Sequence, residues 1–365
     1  MTTGEPAMPS SRPGFRSERL IHLMDAAIRR CELDLSGTAI LTEAASGAYV
    51  VTPVLAALAG AQRVFAVTYP SAYGTVEEIA RTTLDLAELA GVSERIEILS
   101  AKRAEIVAPA DIVTNNGHVR PIDAEVVGWM KPTAVIPLMY EAWELRAGDI
   151  DLAACRQRGI PVAGTNERHP AVDVFSFLGV MAMRMLLDAG VAVYGTRVLV
   201  WCDNPFGPFL VQQLTQAGAV VQSVNRLEDT TDAAGLDAIL VALRPRAHPV
   251  VGRGEAEAIA RRSPTAIVCQ FWGDVDRAAL ARCGVPFWPV ESPPPGHQGI
   301  LPSSVGPEPI VRLQAGGLKV GEVMARVRMS KGASAASHAE AIATAVASGY
   351  GQALSASAPR GLTSE

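Results

Sequence analysis

The chain has 365 residues, 49% of them hydrophobic and 19% charged, enough apolar material for about two cores rather than one. Aromatics make up only 5% while Ala and Val are abundant, a balance that favours α/β packing over a β-sandwich. With 32 Lys and Arg against 37 Asp and Glu the net charge is -5, which argues against nucleic acid as a partner because phosphate backbones are held by clustered cations.

Residues 1–14 (MTTGEPAMPSSRPG) and 356–365 read as flexible tails, and the first, with Glu5 and no apolar run, is not expected to be a signal peptide. Between them strand and helix patterns alternate. "TAILTEA" (38–44) is a strand and "VVTPVLAALAG" (50–60) a helix. "RVFAVTY" (63–69) is a strand and "TVEEIARTTLDLAELAG" (75–91) an amphipathic helix. "RIEILSA" and "DIVTNNG" are strands, "DAEVVGWM" a short helix, "TAVIPLMY" a strand, "DIDLAACRQRG" a helix and "PVAGTN" a strand. These strands are β-branched runs with little polar alternation, the mark of a parallel sheet covered on both faces.

A long helix over 171–189 leads to a second α/β unit. It has strands at 197–202, 219–224, 238–243, 265–269 and 286–290 and helices at 207–217, 253–262 and 275–282. Residues 291–317 read as a Pro- and Gly-rich loop, followed by helices near 319–327 and 334–355. The fold expected is α/β, with two doubly wound parallel-sheet domains facing an interdomain cleft. These are a flavodoxin-like domain over 15–190, with the helix 334–355 packed back on it, and a Rossmann-like nucleotide-binding domain over 191–330.

The five cysteines form no C-x-x-C pair and suggest reduced, buried thiols in a cytoplasmic protein; no His, Cys, Asp or Glu spacing suggests a metal. The most apolar long stretch, 174–201, is broken by Arg184, Asp188 and Arg197, so no membrane span is expected.

In doubly wound sheets ligands gather outside the carboxyl ends of the strands. In the first half, "EAASGAY" (43–49) could offer backbone N–H groups and Ser46 to an anion. "NNGHVRP" (115–121) sets Asn116, His118 and Arg120 on one loop, with Arg120 suited to an acidic group and His118 to proton transfer. "MYEAWELR" (139–146) puts Tyr140 and Glu141 behind a buried strand, where Glu141 could bind a cationic or hydroxylated substrate or act as a base. The plainer readings are an Asn-Gly turn and a helix start favoured by acids. In the second half His297 lies in a loop able to close as a lid, and Arg244 follows a buried strand.

"DIDLAACRQRGIPVAGTNERHPAVDVFSFLGVMAMRMLL" (149–187) and "GDVDRAAL" (273–280) resemble the D-2-hydroxyacid dehydrogenase family, in the order of elements from about 133 to 280. The resemblance implies an oxidoreductase using NADP or NAD on a small polar or acidic metabolite, with Glu291 and His297 at the places of the family's Glu and His. It places the dinucleotide on the turn "CDNPFG" (202–207) through Asn204, Phe206 and Gly207, then on Asn225, Arg226 and Arg244. Of the three fingerprint glycines only Gly207 is present; Cys202 and Asn204 stand for the others, and Phe271 and Trp272 occupy the place of the family's Arg. Asn225 replaces the acid that binds the ribose, and Arg226 would suit a 2'-phosphate.

The segment from "LTEAASGAYVV" to "ADIVTNNG" also resembles the start of a class I methyltransferase, which would bind S-adenosylmethionine; Thr68 stands near its ribose-binding acid. The alternatives carried forward are a non-redox lyase or isomerase, or a ligand-binding protein, on the same scaffold with a degenerate nucleotide site. The expected partners are a small-molecule substrate and, by analogy, a second copy of the chain in a homodimer.

Overall fold

The computed structural model describes residues 12–71 and 73–354; the C-terminal tail and most of the N-terminal one lie outside them. The chain forms two units, 1–174 with 306–365 and 175–305.

Unit 1 runs α1 (Ser17–Cys31), β1 (Ala39–Glu43), α2 (Val51–Leu58), β2 (Arg63–Val67), α3 (Val76–Leu89), β3 (Ile96–Leu99), α4 (Ala104–Val107), β4 (Ile112–Val113), α5 (Ala124–Trp129), β5 (Ile136–Pro137), α6 (Leu152–Arg158) and β6 (Val162–Thr165). Unit 2 holds α7 (Leu178–Asp188), β7 (Arg197–Cys202), α8 (Gly207–Gln216), β8 (Val220–Val224), β9 (Ala238–Ala242), α9 (Arg253–Arg262), β10 (Ile267–Trp272), α10 (Arg277–Arg282) and β11 (Phe287–Trp288). The chain then returns to unit 1 through α11 (Glu308–Lys331), α12 (Ala335–Ala347) and β12 (Gly351–Gln352).

The strands of unit 1 pair in the order β3-β2-β1-β4, and β4 meets β5 through the parallel bridge Ile112–Val135. β5 pairs in parallel with β6, and β12 closes that edge antiparallel. The six parallel strands thus follow the order 3-2-1-4-5-6, whereas unit 2 follows β11-β10-β9-β7-β8. The second is the flavodoxin-like order and the first the Rossmann order. Both units are doubly wound parallel sheets, as expected from sequence, and they differ in strand order. Both patterns alternate strand and helix, and nothing in a βαβ segment says on which side of the sheet its strand will lie.

The near-continuous apolar strands follow from burial on both faces. Ile40, Val64 and Ala66 point into one core with Met24 of α1, Val54 of α2, and Leu318 and Met324 of α11. Leu41, Phe65 and Val67 point into the other with Val126, Val127 and Cys155. In unit 2, Leu199, Ile239, Val241 and Val268 pack against Ile259 of α9 and Leu280 of α10.

The largest departure from the sequence reading is α11, expected in part as loop and assigned to the second domain. Its glycines are contact points rather than helix ends. A methyl group at Gly321 would stand 2.7 Å from Ile112 Cγ2, and one at Gly317 would overlap the Met139 thioether. The helix lies directly on β4 and β5 because these positions lack a side chain. Gly321→Ala is accordingly expected to cost about 1–3 kcal/mol by overpacking, against the gain of about 1 kcal/mol that Ala gives a helix. Urea unfolding checks the sign. The helix expected at 171–189 begins only at Leu178, after a 3-10 turn over Phe175–Phe177.

Candidate functional site

The carboxyl ends of β1, β4, β5 and β6 bring polar side chains together in unit 1. Glu43 ends β1 and is 5% exposed; its Oε2 accepts the His118 N–H at 3.0 Å. His118 Nδ1 accepts the Tyr69 N–H at 3.1 Å. An accepting Nδ1 carries no proton, so the neutral ring bears its hydrogen on Nε2. Gly117 is exposed, and a methyl group there would stand 3.3 Å from Glu43 Oε2 and 3.8 Å from Arg120 Nη2. The carboxyl and the guanidinium therefore flank one open point of backbone.

Arg120 is held from behind. Its Nη1 pairs with Asp149 Oδ2 at 3.2 Å, and the Tyr140 hydroxyl donates to the same oxygen at 2.6 Å. Tyr140 thus serves Asp149 rather than facing a substrate directly, and burial and Asp149 together raise its pKa. Asn116 is 5% exposed and belongs to a buried chain: Thr114 donates to Thr42, Thr42 to Asn116 Oδ1 and Asn116 Nδ2 to Gln314 Oε1 at 3.1 Å. That chain fixes the loop from within. Ser46 lies half-buried in the β1–α2 turn, before Gly47 at φ 63°. Among the described residues the N–H groups of Ala45, Ser46 and Gly47 meet no acceptor.

A second acidic group follows β5 and β6. Glu141 is fully buried, pairs with Arg168 Nε at 3.1 Å and accepts the Trp143 indole N–H. Burial, and then the charge of Glu141, push Glu144 up to about 7. Burial, Glu144 and Glu141 raise Glu167 well above the carboxylate range, and burial raises Glu43 against the pull of His118 and Arg120. Burial raises Tyr49 first, followed by the charges of Glu43 and Glu167. Burial, reinforced by the neighbouring carboxylates, favours the protonated form of Glu144 and Glu167.

This has a consequence for stability. Glu144 and Glu167 keep protons in the folded chain at pH values where the unfolded chain has released them. From the ordinary carboxylate range up to about 7 for Glu144 the folded state binds more protons, so stability falls as pH rises and then levels off. The cost is about 1.4 kcal/mol for each pH unit between the two titration points. Urea midpoints at pH 5 and pH 8 are expected to differ less in Glu144→Gln than in the wild type.

In unit 2 the turn after β7 bonds largely within itself. The Phe206 N–H donates to Asn204 Oδ1 at 3.0 Å and Gly207 N–H to Asn204 O at 3.3 Å. Phe209 and Leu210 donate to Phe206 O, and Pro205 and Pro208 have no N–H. Asn204 Nδ2 is tied to Ala242 O at 2.6 Å. Phe206 is buried, with its ring against Phe175, Phe271 and Trp272. Asp203 adds a negative charge, accepting the Arg244 N–H and pairing with Arg246. As arranged, the turn does not fit a dinucleotide pyrophosphate, which needs free N–H groups and close backbone approach.

Arg226 is on the surface, 3.5 Å from Glu228 with both side chains 71% exposed, and Asn225 is exposed with its carbonyl accepting from Trp201. Glu291 is exposed and its carbonyl accepts from Arg277, while the His297 N–H donates to Pro294 O. The structure therefore brings together Ser46, Asn116, His118, Arg120, Tyr140 and Glu141 in unit 1, and sets the other candidates in unit 2. Sequence reading missed Glu43 as a base, and with it Asp149, Gln314 and Tyr49. Asp149 could have been found as an acid in a strand-end loop, whereas Gln314 carried no signal.

Burial pushes the Cys202 thiol up to about 11, which makes it a poor nucleophile. Among the described residues no group of three or more His, Cys, Asp and Glu could hold a metal ion, and no helix is long and apolar enough to cross a membrane.

No protein family and no curated protein matches the sequence. Solved structures do. A dipicolinate synthase component from Bacillus halodurans is 11% identical, over 77% of this chain and 96% of that one, with a TM-score of 0.50. A dipicolinate synthase from Bacillus subtilis is 11% identical, over 82% and 100%, also at 0.50. An NAD-dependent formate dehydrogenase from Staphylococcus aureus, solved with NAD, is 13% identical over 70% and 92%, with a TM-score of 0.41. The protein has the α/β fold with parallel sheets that the resemblance to D-2-hydroxyacid dehydrogenases implied. At these identities the likeness is one of fold, and fold alone assigns no chemistry.

Proposed function

We propose that the protein is an enzyme of the lyase or isomerase type that moves a proton on a small polar metabolite bearing an acidic group, at the strand ends of unit 1. The observation behind this reading is the grouping of Glu43, His118 and Arg120 around exposed Gly117. A buried carboxyl with a raised pKa is a stronger base than a free one. In this reading Glu43 takes a proton from the carbon beside a carbonyl. His118 acts as a neutral donor, since a proton on Nδ1 would break the bond from Tyr69. Its Nε2–H and the open N–H groups of Ala45, Ser46 and Gly47 receive the developing oxyanion. Arg120, steered by Asp149, holds the acidic group.

A second reading, NAD(P)-dependent oxidation or reduction of a similar substrate, is favoured by the shared fold and by the strand–turn–helix at 197–216 standing where a dinucleotide turn belongs. No step is routed through the dinucleotide, because the turn as arranged does not receive it. Turnover of a panel of small hydroxy and keto acids, followed by NMR, separates the two. Conversion without dinucleotide supports proton transfer; conversion only with NAD(H) or NADP(H), matched by a change in nicotinamide absorbance, supports the second reading.

A further inference from the structure

Unit 2 contains a crevice of about 500 Å³ outside the carboxyl ends of β9 and β10, beside the loop that follows β11. Arg246, His248, Asp274, Arg277 and Ser292 line it, with prolines 293–295 as one wall. The volume lies within the range of small-molecule sites.

Two guanidinium groups line the crevice. Arg277 stands over the Phe287 ring at 5.6 Å and donates to Ser292 Oγ and to the carbonyls of Pro289 and Glu291. All of these partners are neutral. Its Nε, shielded from solvent, has no acceptor, and among the described residues Arg277 forms no ion pair. Burial lowers its pKa, and the charge of Asp274 opposes that shift. Arg246 reaches the same crevice from the β9 side, 65% exposed and paired with Asp203 at 3.3 Å. His248 is exposed at the rim. The one acid in the lining, Asp274, spends both oxygens on the Gly296 N–H, which fixes the loop that carries the prolines.

We propose that this crevice binds a small organic oxyanion, a phosphate or carboxylate metabolite, held by Arg246 and Arg277. Two guanidinium groups present forked donors that match either oxyanion. The remaining volume admits a body of several atoms against the proline wall. The site is independent of the unit 1 chemistry and uses none of its residues.

Calorimetric titration of the full chain with inorganic phosphate and, separately, succinate tests the proposal. Saturable binding of at least one is expected, and the better ligand distinguishes phosphate from carboxylate recognition. Arg246→Gln and Arg277→Gln are each expected to weaken it about tenfold or more, and Arg261→Gln on α9 to leave it unchanged. Arg277 also ties the loop 289–292, so Arg246→Gln, at an exposed side chain, carries the test should Arg277→Gln fail to fold. The proposal is overturned if the wild type binds neither anion saturably, or if Arg246→Gln binds as the wild type does.

Discussion

Arg168→Ala is expected to destabilise the protein by about 3 kcal/mol, the lower end of what removing one partner of a buried ion pair costs. Glu141 is fully buried and Arg168 is its salt-bridge partner among the described residues. Arg168 itself is 46% exposed, so water enters once the side chain is cut back and offsets part of the penalty. The Trp143 indole still donates to Glu141 and keeps one oxygen bonded. Glu141→Gln in the same chain removes the stranded charge, so the double variant is expected to recover most of the loss. Chemical unfolding of the four proteins measures this coupling. Equal losses in Arg168→Ala and the double variant would mean that the effect comes from packing rather than from charge.

Glu43→Gln is expected to keep the fold and to lower turnover about 10²–10⁴-fold, the usual contribution of a positioned general base. Glutamine retains an oxygen that can accept the His118 N–H, so the loop from 115 to 121 keeps its tie to β1. It also relieves the cost of a buried carboxyl, whose pKa is already raised, so the melting temperature is expected to hold or rise. Falling activity with unchanged or greater stability separates a chemical role from a structural one. A loss of both would assign Glu43 to the architecture of the sheet edge.

Much of this site was legible in the sequence. The strand-end rule pointed to "NNGHVRP", "EAASGAY" and "MYEAWE" because parallel strands expose their carboxyl ends to ligands whatever their order. The replacement of Gly by Cys202 and Asn204 was also legible, and its consequence follows from chemistry: Asn204 bonds the N–H that a glycine would have left free. Strand order was not legible, because β3 and β4 look alike as segments and differ only in the edge they join. The start of α11 was misread because Gly316 and Gly317, after a run of prolines, resemble helix breakers until the strands beneath them are known. Asp149 was hidden in a segment expected to start a helix; it precedes Asp151, which caps α6, and bonds Arg120 and Tyr140 instead. His118 was read as a proton carrier. That its Nδ1 accepts from Tyr69, which makes it a neutral donor, depends on a contact 49 residues away in sequence.

The central claim is that Glu43 and His118 move a proton on carbon without a dinucleotide. Incubation of the wild-type protein with a panel of small keto and hydroxy acids in D2O, read by proton NMR, tests it most directly. The expected result is deuterium at the carbon beside the carbonyl of one member, in the absence of any nicotinamide, and its loss in Glu43→Gln. Deuterium incorporation that persists at the wild-type rate in Glu43→Gln, or conversion that starts only when NAD(H) or NADP(H) is added, would contradict the account.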